Sequence, residues 1–132
     1  MVLAPYALDP PTTGQMLLRG AVRRCPLCGS GHAFRWWLLM KDDCPRCDLH
    51  FERIEGHWIG AIAMNTVLAL MVLLGVIVGG FAASYPDPPA AALLWVCVAV
   101  AALAPLFFQP ISRTLWTAID LVLRPIGPEE LS

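Results

Sequence analysis

Two long runs of apolar residues dominate the second half of the chain. No Asp, Glu, Lys or Arg occurs from Gly56 to Pro86, a run of 31 positions, and none occurs from Pro88 to Ser112. A helix needs about 20 apolar residues to cross the hydrocarbon of a bilayer. Residues 56–110 are therefore predicted to form a two-helix transmembrane hairpin, with spans near residues 58–82 and 90–108.

The segment between the two runs has the composition of a turn. It reads SYPDPP over Ser84–Pro89, and its three prolines and one aspartate are incompatible with a continuing helix. Pro105 and Pro110 are expected to kink or end the second helix. A pair of buried helices in a soluble protein is the alternative, but two consecutive apolar runs of this length are typical of a membrane protein.

An amphipathic pattern follows the second run, over residues 112–124. At helical spacing this segment has one polar stripe, formed by Arg113, Thr117, Asp120 and Arg124. Trp116 lies on the opposite, apolar surface. The pattern predicts a C-terminal amphipathic helix that lies in the membrane interface, with Asp120 and Arg124 spaced for an ion pair. A cytoplasmic extension of the second span is the alternative.

The first 24 residues are predicted to form a flexible N-terminal tail. They contain three prolines and Asp9, and they lack the basic start and continuous apolar core of a signal peptide. Within them, residues 15–24 could form either a short basic helix or an extended lead into the next segment. The N-terminus is accordingly expected to remain in a reducing compartment.

The distribution of positive charge predicts the topology of the hairpin. Seven of the nine Lys and Arg residues precede the first run, none lies between the runs, and two follow the second. The positive-inside rule then places both termini in the cytoplasm and the Ser84–Pro89 turn outside. We expect a multi-pass protein of the inner (plasma) membrane, with the lipid bilayer as its first partner.

Four of the five cysteines form two CxxC pairs with fifteen residues between them. Zinc prefers four soft ligands in a tetrahedron, and this spacing is typical of four-cysteine zinc sites. Residues 25–55 are therefore predicted to form a cytoplasmic zinc ribbon, a small β-structure. One structural Zn²⁺ per chain would be bound by Cys25, Cys28, Cys44 and Cys47.

Details around the cysteines support a metal site. The residue after the second cysteine of each pair often needs a positive φ, which Gly29 supplies freely and Asp48 tolerates. Disulfides are one alternative, but a reducing compartment argues against them. A thioredoxin-like redox pair is the other alternative, but the presence of two CxxC pairs favours a metal site. His32 and His50 are predicted to be surface groups, or groups that lie next to the ligands, rather than ligands themselves.

Two features remain open at this point. Trp36 and Trp37 suit either the small core of the ribbon or a contact with the membrane interface or a partner. Small residues four apart, as at Gly56/Gly60 and Gly75/Gly79, suit close helix packing within the hairpin or a homo-oligomer. Asn65 is the only clearly polar side chain deep in the first span.

Two segments resemble a known family. They are the cysteine segment that begins RCPLCGSG at Arg24 and continues with CPRC at Cys44, and the ending PISRTLWTAID at Pro110. Together with the two spans, these residues resemble the bacterial domain of unknown function 983 family over roughly residues 20–125. Asp48 and the sequence EGHWIG at Glu55 depart from the common family pattern, as in a divergent branch.

The resemblance implies an architecture of zinc ribbon and membrane hairpin, but it implies no reaction. Because some members are encoded beside genes for haem–copper oxidase assembly, it also implies a link to respiratory membrane complexes. We therefore expect a non-enzymatic adaptor or assembly factor with a membrane-protein partner. Metal handling or thiol redox work is the first alternative.

A membrane-tethered nucleic-acid-binding ribbon is the second alternative. The net charge of −1 argues against it, and so does the modest basic excess of the cysteine segment. Proximity to anionic lipid would account for that excess equally well.

Overall fold

A computed structural model of the protein describes residues 11–126. These residues form three helices and one irregular segment that contains the paired cysteines. Helix α1 spans Thr13–Ala21, α2 spans His57–Ser84 and α3 spans Ala90–Leu123. Helices α2 and α3 pack side by side and antiparallel, since Gly60 lies against Trp116 and Gly80 lies against Leu93. Residues 1–10 of the predicted tail lie outside the described residues.

Helices α2 and α3 are both long and apolar enough to cross a membrane. They contain 28 and 34 residues, and almost none of the most apolar part of either helix is buried within the protein. The predicted spans, 58–82 and 90–108, lie inside these helices. The predicted break also occurs where expected, because no helix covers residues 85–89.

The end of the second helix follows the alternative interpretation, an extension of the second span, and not the separate helix that the pattern favoured. Helix α3 continues through Pro105 and Pro110 to Leu123, so residues 112–123 are its last part and not a separate interfacial helix. Side chains near the prolines donate to backbone carbonyls of this stretch: Asn65 Nδ2 to Pro105 O (3.1 Å) and Ser112 Oγ to Phe108 O (2.8 Å). The first of these bonds joins α2 to α3, and the second lies within α3.

The polar side of this last part of α3 faces inward. Its buried residues include Ser112, Thr114, Thr117 and Asp120. The predicted Asp120–Arg124 ion pair is absent from the ion pairs of residues 11–126, because Asp120 binds a different arginine. Of the four residues in the predicted polar stripe, Thr117 and Asp120 are buried, Arg113 is partly buried and Arg124 is exposed.

Helix α1 covers part of that inward side. The Oγ1 of Thr114 donates to Gly20 O at 2.6 Å. A Cβ added at Gly20 would lie 2.9 Å from the Cβ of Ala118, so only glycine permits this close approach. α1 replaces part of the predicted flexible tail because Thr12 and Gln15 form a capping box at its start.

The cysteine segment, residues 25–55, forms no β-sheet. Within the described chain the only β-type pairings are two isolated bridges, Phe34 with Met40 and Asp43 with His50. The small-β part of the ribbon prediction is therefore wrong. The backbone pairings between the turns are short and do not extend into a ladder: Lys41 N donates to Ala33 O and Phe51 N donates to Asp42 O, both at 2.9 Å. The segment instead packs around a small core that includes Leu27, Leu49, Phe51 and Leu121 of α3.

Candidate metal centre

The four paired cysteines come together in a compact cluster. Their sulfur atoms all lie within 4.8 Å of one another. The Cys25 and Cys47 sulfurs are 3.7 Å apart, and the Cys28 and Cys44 sulfurs are 3.6 Å apart. Four thiolates held at ~2.3 Å around one ion in a regular tetrahedron would be ~3.8 Å apart. The cluster is therefore close enough to bind one metal ion.

The two cysteine pairs have the same backbone turn. In the first, Gly29 N donates to Cys25 O and Cys25 N donates to Ser30 O, both at 2.9 Å. The second repeats this pattern through Asp48 N to Cys44 O at 2.9 Å and Cys44 N to Leu49 O at 3.0 Å. Each turn directs both of its thiols to the same point.

The predicted positive-φ positions are confirmed. Gly29 has a φ of 75° and Asp48 has a φ of 55°. This left-handed conformation closes each turn, and glycine adopts it without the clash that a Cβ causes. Aspartate tolerates the same region better than most residues do.

The hydrogen bond between the Cys25 and Cys47 thiols shifts their pKa values in opposite directions. Donation from the Cys47 thiol lowers the pKa of Cys25 to about 5, and the same bond raises the pKa of Cys47. Burial raises the pKa of Cys28 to about 11. The protein alone thus favours the thiolate form of Cys25 and the thiol forms of Cys28 and Cys47, whereas a bound cation would favour the thiolate form of every ligand.

Neither nearby histidine joins the cluster. The His50 Nδ1 lies 2.7 Å from Asp43 Oδ1 in an exposed pair, and His32 is exposed. The donor set is therefore four sulfurs, which suits zinc and other thiolate-binding metals better than hard cations. None of the five cysteines forms a disulfide, and Cys97 lies apart in α3.

Arg19 of α1 supports the first cysteine turn. Its Nη1 donates to Leu27 O at 2.9 Å and lies 3.5 Å from Pro26 O. The same side chain lies beside Gly29, where an added Cβ would be 3.3 Å from its Nε. No sequence pattern predicts this contact, since a basic residue six positions before a cysteine is not part of a recognised motif.

A buried ion pair joins the cysteine segment to α3. The Nη1 of Arg53 donates to Asp120 Oδ2 at 3.1 Å and to Arg124 O at 2.8 Å. Only 6% of the Arg53 side chain and 9% of the Asp120 side chain are exposed. Asp120 is the only acidic residue of Ser112–Arg124, which made it a candidate for an ion pair. Arg53 lies too far away in the sequence to be inferred as its partner.

A polar contact also joins α2 to α3. The Nδ2 of Asn65 donates to Gln109 Oε1 at 3.0 Å as well as to the Pro105 carbonyl. Ser112 Oγ lies 3.5 Å from Asn65 Oδ1. The one polar residue singled out deep in the first span therefore holds the two helices together.

Most of this chain matches a known protein family in sequence. A model of the family described as "Protein of unknown function (DUF983)" matches residues 34–120, well over half of the chain. The chain belongs to the DUF983 family. This confirms the family expected from the sequence. Neither a curated protein nor a solved structure matches the chain.

The DUF983 match covers only part of the candidate site. It includes Cys44 and Cys47, Arg53, all of α2, and α3 as far as Asp120. Cys25 and Cys28 precede it. The first cysteine turn and helix α1 are thus assigned to the site by the structure of this chain, and not by the family match.

Proposed function

We propose that this DUF983 protein is a membrane-anchored adaptor or assembly factor that carries a structural zinc site. The observation that carries the proposal is the cluster of four cysteine thiols, packed directly against the end of an apolar helix through Leu121. A four-thiolate zinc site has no open coordination position, so zinc here would stabilise a surface and would not perform chemistry.

The two long helices support a membrane location. Their exposed side chains are almost all apolar, and such a surface is unfavourable in water. Lys and Arg lie almost entirely on the side of the cysteine segment, which favours an orientation with both termini in the cytoplasm. We infer that the bilayer is the inner (plasma) membrane.

Zinc would account for the folding of the cysteine segment. Its core is small and it has no sheet, so packing alone supplies little stability. Structural zinc binding contributes about 10–16 kcal/mol in small zinc peptides. The ion would be held by Cys25, Cys28, Cys44 and Cys47.

The way in which the parts are joined supports an adaptor role. Helix α1 and the Arg53–Asp120 pair fix the cysteine segment on α3. A segment held in this way presents a rigid surface at one end of the membrane helices. Respiratory membrane complexes are the partners that we propose to test first, because of the gene associations implied by the family resemblance.

Purification in mild detergent tests the adaptor proposal. Tagged wild-type protein should retain a membrane-protein partner, whereas Cys44→Ser should lose it and still insert in the membrane. Cys97→Ser is the matched control, because Cys97 lies outside the cluster and should be dispensable. Equal capture by wild type and Cys44→Ser would overturn the adaptor role of the zinc site.

Surface labelling tests the proposed orientation. A cysteine placed at Asp87, in the exposed turn between the helices, should react with an impermeant thiol reagent added to intact cells. Labelling of a cysteine near the N-terminus, without labelling at position 87, would reverse the orientation.

Metal handling or thiol exchange is a second candidate function. Cys28 is only partly buried, whereas Cys25 and Cys44 are fully buried, so one ligand is open to an incoming thiol or metal carrier. A single-cysteine variant that traps a mixed disulfide with another protein would favour this candidate, because the attacking thiol remains while its resolving partner is gone.

A further inference from the structure

Residues 34–40, here called the aromatic loop, project from the cysteine segment. Their base is held by the bridge between Phe34 and Met40, and Arg35 N donates to Leu39 O at 2.8 Å. Phe34 and Met40 pack on the core of the segment. The tip between them does not: Trp36 is 71% exposed and Leu39 is 58% exposed.

The tip of the aromatic loop lies beside the apolar part of α3. The ring centroids of Trp37 and Phe107 are 6.3 Å apart. Phe107 is 56% exposed and belongs to the same apolar surface as Leu103 and Leu106. The loop therefore extends a surface that the proposed function places in lipid.

The depth of this contact follows from the length of α3. Phe107 lies 17 residues after Ala90, the first residue of the helix, or about 26 Å along it. The hydrocarbon core of a bilayer is about 30 Å thick. With Ala90 at one edge of the hydrocarbon, Phe107 lies just inside the other edge. Arg113, the first charged residue of α3, lies beyond that edge.

The guanidinium group of Arg23 lies over two aromatic rings of the loop. The guanidinium carbon of Arg23 is 4.3 Å from the ring centroid of Trp37 and 4.9 Å from that of Phe34. Tryptophan favours the boundary between headgroups and hydrocarbon, and a neighbouring cation can interact both with its ring and with lipid phosphate.

We propose that the aromatic loop inserts into the headgroup region of the bilayer and so anchors the cysteine segment directly to lipid. The inference rests on the proposed membrane location. Lipid is the occupant favoured by the depth of Phe107 and by the continuity of the loop with the exposed apolar face of α3. If another protein covered the aromatic loop, the continuity of the loop with the apolar face of α3 would have no explanation.

Photo-crosslinking in proteoliposomes tests this anchor. The full chain is reconstituted in phosphatidylethanolamine and phosphatidylglycerol, with benzoylphenylalanine in place of Trp36, Leu94 or Arg46. Leu94 is exposed on the apolar face of α3, and Arg46 is exposed in the second cysteine turn. Mass spectrometry should find lipid adducts at positions 36 and 94 in comparable yield, and none at position 46.

The lipid anchor and the membrane location would be contradicted by different results. Lipid adducts at position 94 without any at position 36 would overturn the anchor and leave the membrane location intact. So would an adduct between position 36 and a second copy of the chain. Absence of lipid adducts at position 94 would overturn the membrane location itself.

Fluorescence supplies a check that is independent of the photoreactive residue. In vesicles that contain brominated lipid, Trp36→Phe should lower the lipid-dependent quenching of tryptophan fluorescence, whereas Trp116→Phe should lower it less. Trp116 is the control because it packs against Gly60 between the helices. Quenching that does not change in Trp36→Phe would contradict insertion of the loop.

Discussion

Arg53 and Asp120 form an ion pair across 67 positions of sequence, with Nη1 and Oδ2 3.1 Å apart. Both side chains are more than nine-tenths buried. The pair connects Arg53, four residues before the start of α2, to the inward side of α3, next to Leu121, which belongs to the core of the cysteine segment. It therefore links the candidate metal centre to the helical hairpin.

Removal of one partner of this pair should loosen the cysteine segment. In Asp120→Asn, Arg53 keeps a buried charge without its counter-ion, which costs about 3–5 kcal/mol. Limited proteolysis in detergent should then cut between residues 25 and 55 faster than in wild type. Asp43→Asn is the matched control: it removes the exposed pair with His50, whose contribution is about 0–1 kcal/mol. Equal proteolysis of both variants would contradict a structural role for the buried pair.

The first cysteine turn should depend on glycine at position 29. Gly29→Ala places a Cβ at a φ of 75°, which costs about 1–2 kcal/mol, and puts it 3.3 Å from Arg19. Metal affinity, measured by chelator competition, should therefore fall about tenfold. Gly31→Ala should bind metal as wild type does, since nothing lies within 4 Å of the added Cβ. An equal loss of metal affinity in Gly29→Ala and Gly31→Ala would show that the effect is not due to the first cysteine turn.

Local patterns made the helices and the cysteine cluster predictable. The length of an uncharged run and the spacing of a CxxC pair depend only on neighbouring residues, so Gly56–Pro86 and Cys44–Cys47 could be interpreted directly from the sequence. The positive φ of Gly29 and of Asp48 followed from the same local geometry.

The arrangement of the polar stripe on α3 could not be predicted in the same way. Amphipathic spacing distinguishes two faces of a helix, but it does not reveal what covers each face. Here Thr114 binds the carbonyl of Gly20 and Asp120 binds Arg53, so protein covers this part of the polar face. Both partners are distant in sequence, and no local pattern identifies them.

Packing between α2 and α3 should depend on Gly60. A Cβ at this position would overlap the indole of Trp116, so Gly60→Ala must displace that ring. We expect a loss of about 1–3 kcal/mol, typical of overpacking, and a lower unfolding temperature in detergent. Gly75→Ala should leave that temperature unchanged, because an added Cβ there meets open space. A stable Gly60→Ala variant would mean that the helices pack differently.

Metal binding should release protons, and affinity should rise with pH. Between about pH 6 and pH 8, Cys25 with its pKa of about 5 is already a thiolate. Cys28, whose pKa burial raises to about 11, and Cys47, whose pKa is raised by donation to Cys25, still hold protons that the metal must displace. Calorimetry in buffers of different ionisation enthalpy should detect about two or more released protons. A pH-independent affinity would contradict thiolate ligation.

The metal content of the purified protein tests the central claim most directly. Elemental analysis of the detergent-solubilised wild type and of Cys97→Ser should give one zinc per chain, whereas Cys44→Ser should lose most of it. The reason is that Cys44 supplies one of the four sulfurs of the cluster and Cys97 supplies none. Iron in place of zinc, more than one metal per chain, or full zinc retention in Cys44→Ser would contradict the account.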